Sequence, residues 1–112
     1  MIVNCVAYDR GKRLSDIPLN EVRSHLTNRD CFVWVALKDP QADELATLQQ
    51  EFDLHELAIE DAQKGHQRPK IEEYGSSLFI VLQLVEPCGQ DLQAGGVAIV
   101  VGPQYIDSVR RD

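Results

Sequence analysis

Seven residues from Cys31 to Leu37, CFVWVAL, are almost continuously apolar and rich in aromatic and β-branched side chains. That is the pattern of a strand covered on both faces. Asp39-Pro40 follows: an Asp side chain can cap a helix, and Pro at the first helical position gives up only an amide hydrogen that would have no intrahelical partner. From Gln41 to about Phe52 the residues Leu45, Leu48 and Phe52 recur at spacings of three and four, while Asp43, Glu44, Gln49 and Glu51 face water. A buried strand leading into an amphipathic helix predicts α/β layering, with Cys31 to Leu37 as the central strand.

The remaining elements are arranged around this pair. Ile2 to Tyr8 is β-prone, Asp9 to Lys12 (DRGK) supplies a tight turn, and Arg13 to Ile17 returns as a short edge strand. Pro18 opens a helical pattern carrying Leu19, Val22 and Leu26, which ends in the polar cluster Thr27 to Asp30. A third helix precedes a polar turn near Gln67 to Lys70, and Leu78 to Val85 is a strand. Glu86 to Gly96 reads as a polar turn region, Val97 to Val101 pairs back, and Tyr105 to Val109 is a last short strand. Alternating elements followed by consecutive strands predict an α/β fold with a mixed parallel and antiparallel sheet and helices on at least one face. The alternative is an α+β arrangement with every helix on one side.

A chain of 112 residues can bury one core without disulfide or metal staples, so residues 1–112 are expected to form a single domain. A net charge of −7, with eleven Lys and Arg spread along the chain, opposes nucleic-acid binding and favours cations as partners. The apolar runs are far too short to span a bilayer, and no signal-peptide pattern opens the chain, so the default compartment is the cytoplasm. Cys5, Cys31 and Cys88 form no CxxC pair; Cys5 and Cys31 fall within apolar strand patterns and read as small buried hydrophobes.

The stretch Phe52 to Leu82 holds the one anomaly. At about 100° per residue, Leu54, Leu57 and Ala58 share one side of a helix, and Asp61 falls on that same apolar side. Glu56, Glu60, Gln63 and Lys64 lie away from it, with Glu60 and Lys64 in a favourable i, i+4 order. A carboxylate on an apolar face needs a partner. Three are open: Arg68 or backbone amides of the turn from Lys64 to Pro69; another chain or segment that covers this face; or a divalent cation, for which carboxylate oxygens are preferred ligands. Glu60 and Asp61 point about 100° apart, so chelating one ion would require further oxygens from elsewhere.

Enzyme readings find little support. His55-Glu56 lacks the second His of an HExxH site, because Ile59 stands four residues on. His25, His55 and His66 have no zinc-ligand spacing, and no nucleophile elbow, P-loop or dinucleotide fingerprint occurs. A stand-alone interaction module using the Asp61 face is a second reading from the residues alone.

The run LHELAIEDAQKGHQRPKIEEYGSSLFIVL closely resembles the amino-terminal cytoplasmic domain of the CorA family of magnesium and cobalt transport proteins. A looser likeness extends to FVWVALKDP and to GVAIVVGPQYIDSVRRD. The resemblance implies an α/β sandwich arranged as a ring of five, with regulatory Mg2+ between subunits of a bacterial inner-membrane transporter. It also implies a continuation, lacking here, through a long helix into two membrane spans and a Gly-Met-Asn turn, the only part that would meet the membrane. It assigns Asp61 as a ligand of the regulatory site and Glu60 as a weaker candidate for a second ion, with the partner carboxylate on the missing helix of an adjacent subunit. Weak or undetectable Mg2+ binding by this chain alone is the corresponding expectation. The ZntB-like zinc transporter branch shares the fold and is the competing assignment, with the QRPK turn favouring CorA.

Overall fold

The computed structural model describes residues 1–64 and 68–111 of the chain. Its strands, in chain order, are β1 (Ile2–Asp9), β2 (Lys12–Asp16), β3 (Cys31–Lys38), β4 (Lys70–Tyr74), β5 (Ser77–Cys88), β6 (Asp91–Gly102) and β7 (Tyr105–Arg111). Between β2 and β3 lies α1 (Val22–His25), entered through a 3-10 turn at Leu19–Glu21. Helices α2 (Ala42–Phe52) and α3 (Glu56–Lys64) connect β3 to β4. The strands form one sheet in the order β2-β1-β3-β7-β6-β5-β4. Only β3 and β7 run parallel; every other neighbouring pair is antiparallel. The mixed sheet and the closing meander are as expected.

Local chemistry explains most boundaries. Arg10 and Gly11 both take positive φ, 52° and 81°, the two-residue turn whose twist suits a hairpin. Asp39 does not cap α2. Its N–H donates to Arg110 O at 2.7 Å, extending the β3–β7 ladder, and its φ of 44° turns the chain before the helix. The helix therefore starts after Gln41, whose N–H donates to Glu44 Oε1 at 3.0 Å, half of a capping box.

Two strand expectations are corrected. β3 is third in the sheet and β7 is central. Along β3 the burial alternates: Cys31, Val33, Val35 and Leu37 are buried, while Phe32, Trp34 and Ala36 are half-buried on the other side. Its second face is apolar but not covered by any described helix. The expected polar turn from Glu86 to Gly96 is instead the outer part of the β5–β6 hairpin, closed by the pair Cys88↔Asp91 with Gly89 at a φ of 64°. Pairing to β4 stops at Val81 and pairing to β7 stops at Gly96, so the hairpin continues outward as a two-stranded ribbon. Backbone hydrogen bonds alone define it as strand there, which an apolar-pattern reading misses.

All described helices pack on one sheet face, within the expectation of a mixed sheet with helices on at least one face. Leu45, Leu48 and Phe52 of α2, Ala58 and Ile59 of α3, and Leu19 and Val22 meet Val33, Val35, Phe79 and Val100 in one core. Register places two apolar rows on the opposite face: Ile71, Ile80 and Ile99, and Leu78, Val101, Ile106, Trp34 and Val6. Ile71 is 71% exposed and Leu82 45%. A shallow hollow of about 450 Å³ there is lined by Tyr8, Gly11, Phe32, Trp34 and Ile106.

Gly102 is tied to this packing. It pairs with Tyr105 across the β6–β7 turn, and the Tyr105 ring fills the space that a Cβ on Gly102 would take. The ring is also packed at 4.8 Å against Phe52, so it has little room to yield. Gly102→Ala is expected to destabilise the fold by about 1–3 kcal/mol, as overpacking does, read as a lower urea midpoint with an unchanged m-value. A midpoint equal to that of the parent chain would show that the ring moves freely.

Candidate functional site

Helix α3 presents Asp61. His55 sets its start: Nδ1 accepts the Leu57 N–H at 3.1 Å, and the His55 carbonyl accepts from Ala58 and Ile59 at 3.1 and 3.3 Å. This residue is a cap, and its ring stacks on Tyr74 with centroids 4.8 Å apart. The buried side of α3 is Ala58, Ile59 and Ala62, while Leu57, expected on the apolar side, is 50% exposed. The stripe is therefore rotated from the expected one, and Asp61 sits on its flank with a side chain 15% exposed.

Strand β4 supplies the partner. Pro69 favours an extended chain at the residue before it, and β4 then alternates, placing Lys70, Glu72 and Tyr74 on the helix side, with Glu72 opposite the core residue Phe79. Lys70 Nζ lies 2.9 Å from Asp61 Oδ2 and 3.0 Å from Glu72 Oε1. The Tyr74 hydroxyl donates to Glu72 Oε2. Lys70 Nζ also stands 5.7 Å from the Phe79 ring centroid, and Lys64 Nζ approaches Asp61 Oδ1 at 4.0 Å. The result is a continuous line from Asp61 through Lys70, Glu72 and Tyr74 to His55.

Titration follows from these contacts. The hydrogen bond to Asp61, then that to Glu72, holds the Lys70 ammonium above its ordinary value. The Tyr74 hydroxyl, then Lys70, holds Glu72 below the usual carboxylate range. Glu72 in turn pushes Tyr74 up to about 12. A lowered acid stabilises above its ordinary pKa and a raised base below its own. The cluster is thus fully formed from mildly acidic to mildly alkaline pH; it fails as pH falls through the lowered Glu72 value or rises through the raised Lys70 value.

The cation expected beside Asp61 was Arg68; the structure puts Lys70 there, and Arg68 is exposed. The other proposed partners include backbone from residues 65–67, which lie outside the described residues, as do His66 and Gln67. Glu60 is exposed and outside the line of contacts, and Lys64 reaches Asp61 rather than Glu60. Lys70, Glu72 and Tyr74 were not assigned roles from sequence, although the alternation Lys70-x-Glu72-x-Tyr74 after Pro69 carried the signal. Among the described residues no group of three or more His, Cys, Asp or Glu converges to hold a metal. Asp61 and Glu72 offer oxygens around a point that Lys70 fills, well short of the six ligands Mg2+ takes. These residues do not make a complete metal cage.

Elsewhere, Cys5 and Cys31 are buried, as expected. Burial, then the neighbouring Asp107 and Asp16, pushes the Cys5 thiol up to about 11, which leaves it protonated and a poor nucleophile. Asp107, within the short strand expected at Tyr105 to Val109, is fully buried.

The fold is that of the CorA soluble domain. All of this chain superposes on the soluble domain of CorA from Methanocaldococcus jannaschii with a TM-score of 0.65 at 15% identity, covering 42% of that chain. The complete CorA magnesium transporter of the same organism gives 0.69 at 15% identity over 33% of its length, and the full-length CmaX protein 0.64 at 17% identity, over 99% of this chain and 35% of that one. The sequence is more specific. Residues 29–112 match the family described as CorA-like Mg2+ transporter protein, and 93 residues, 83% of the chain, are 30% identical to YfjQ of Bacillus subtilis (strain 168), named as a candidate metal ion transporter. This chain belongs to the CorA-like Mg2+ transporter family, a family of transporters rather than enzymes. It spans 28% of YfjQ, and no helix among the described residues is long and apolar enough to cross a membrane.

Proposed function

We propose that this chain is the cytoplasmic ion-sensing domain of a CorA-like transporter of divalent cations, Mg2+ or Co2+, in a bacterial inner membrane. In this reading residues 1–112 are one amino-terminal domain, five copies assemble in the parent protein, and Asp61 is one ligand to a regulatory Mg2+ between subunits. Glu60, exposed one residue away, contributes more weakly to a second ion. Family membership carries the proposal, supported by the position of Asp61: a part-exposed carboxylate on a helix flank, held by a side-chain ammonium rather than sealed in the core. One carboxylate with water cannot hold Mg2+ tightly, and the remaining oxygens come from a neighbouring subunit.

Calorimetric titration with MgCl2 tests this. The 112-residue chain should show weak or undetectable binding, and the parent protein saturable binding that Asp61→Ala weakens at least tenfold. Equal affinities for the parent protein and its Asp61→Ala variant would retire Asp61 as a ligand.

A further inference from the structure

The middle of the core contains a carboxyl group with no hydrogen-bond partner among the described residues. Asp107 is 0% exposed, and among the described residues neither Oδ1 nor Oδ2 has a hydrogen-bond partner. It sits on the central strand between Val35 of β3 and Val100 of β6. Tyr105 and Val109, which share its face, belong to or pack against the core beneath the helices. Among the described residues, Cys5 on β1 and Tyr105 on β7 itself are titratable groups within electrostatic reach. Arg111 is the cation further along that strand face, but its Nε donates to Ala62 O of α3 at 3.0 Å and its Nη2 to Pro40 O at 3.5 Å. The buried side chains that α2 and α3 bring to this layer, Leu45, Leu48, Phe52, Ala58, Ile59 and Ala62, carry no charge.

We propose that lifting of the α2–α3 layer from the sheet is coupled to release of one proton from Asp107, so that opening becomes easier as pH rises. A neutral acid can be enclosed in such a site, whereas a carboxylate without a partner cannot. Burial accordingly holds this group well above the usual carboxylate range. When the layer lifts, water reaches the group and its ordinary acidity, a pKa of about 3.9, returns. Between that value and the raised one the closed state binds one more proton than the open state. The opening constant then climbs about tenfold per pH unit. Below the ordinary value both states are protonated and the dependence vanishes. The titrating group is distinct from the cation reading: lifting α3 also parts Asp61 from Lys70, but parent chain and Asp107 variants share that pair, so it cancels in their comparison.

Hydrogen exchange of the α2 and α3 backbone amides in the 112-residue chain provides the test, measured from pH 4.5 to 6.5 and corrected for intrinsic exchange rates. The opening constant should rise about tenfold per unit more steeply in the parent chain than in Asp107→Val or Asp107→Asn. Parallel pH slopes in parent and Val variant would overturn the proposal. Val is β-prone and apolar like its neighbours, so that comparison survives if the Asn variant fails to fold. The carboxyl 13C shift of Asp107, followed against pH, gives a second reading: a titration displaced above that of an exposed Asp is expected, and one at the ordinary position would overturn the coupling.

Discussion

Replacing Asp107 with valine is expected to stabilise the fold at pH 7 by about 3 kcal/mol, raising the melting temperature by on the order of 10 °C or more. Substitutions at fully buried positions usually destabilise, so the sign is what makes this result informative. Both carboxyl oxygens of Asp107 are buried without a hydrogen-bond partner among the described residues, and folding must strip them of water and keep the group protonated against its ordinary acidity. Valine removes both demands, suits the strand, and sits beside Val35 and Val100. The gain depends on pH in a fixed direction. A raised acid opposes folding increasingly as pH climbs from about 4 towards its native value, so the variant's advantage should shrink on acidification. Urea unfolding of both chains at pH 4.5 and 7 measures it. A variant less stable than its parent at pH 7 would mean that Asp107 has a bond its surroundings do not reveal.

Phe79→Ala should have the largest destabilising effect, about 3–5 kcal/mol, a large part of the stability of a small domain. Phe79 is fully buried on β5, where it belongs to the core cluster, meets Tyr74 at 6.2 Å between centroids and lies under the Lys70 ammonium. Its loss removes the floor of the Asp61–Lys70–Glu72 line as well as core volume. Calorimetry should show the lower melting temperature, and NMR the loss of the ring-current shift on the Lys70 methylenes. A loss under about 1 kcal/mol would mean that the helices collapse into the space the ring leaves.

Legibility from sequence followed the strength of the local pattern. The strand from Cys31 and the helix to Phe52 were readable because their apolar periodicities differ and neither depends on distant residues. The ribbon at Cys88↔Asp91 was not, since it is held by backbone pairing that leaves no apolar signature. The apolar side chains of β3 predict cover on both faces, but composition records that a face is apolar and not what lies on it. In the candidate site, Asp61 stood out because one carboxylate broke a helical stripe. Its cation was misplaced by two residues, from Arg68 to Lys70, because the strand geometry that swings Lys70 towards α3 comes from pairing with β5, a contact outside local reach. Asp107 was hidden in a run that otherwise reads as an ordinary strand. An Asp at an inward position of such a run is the sign that sequence alone can offer.

The sheet face bearing Trp34, Ile80, Ile99 and Ile106 changes what the stability of this chain means. Whatever binds that face binds the folded state and not the unfolded chain, so its chemical potential enters the folding equilibrium directly. A ligand at a hundred times its dissociation constant adds about 2.7 kcal/mol, comparable with either substitution above. Measured alone, the chain reports a lower limit. Measured against an added ligand of that face, its melting temperature would become a titration curve.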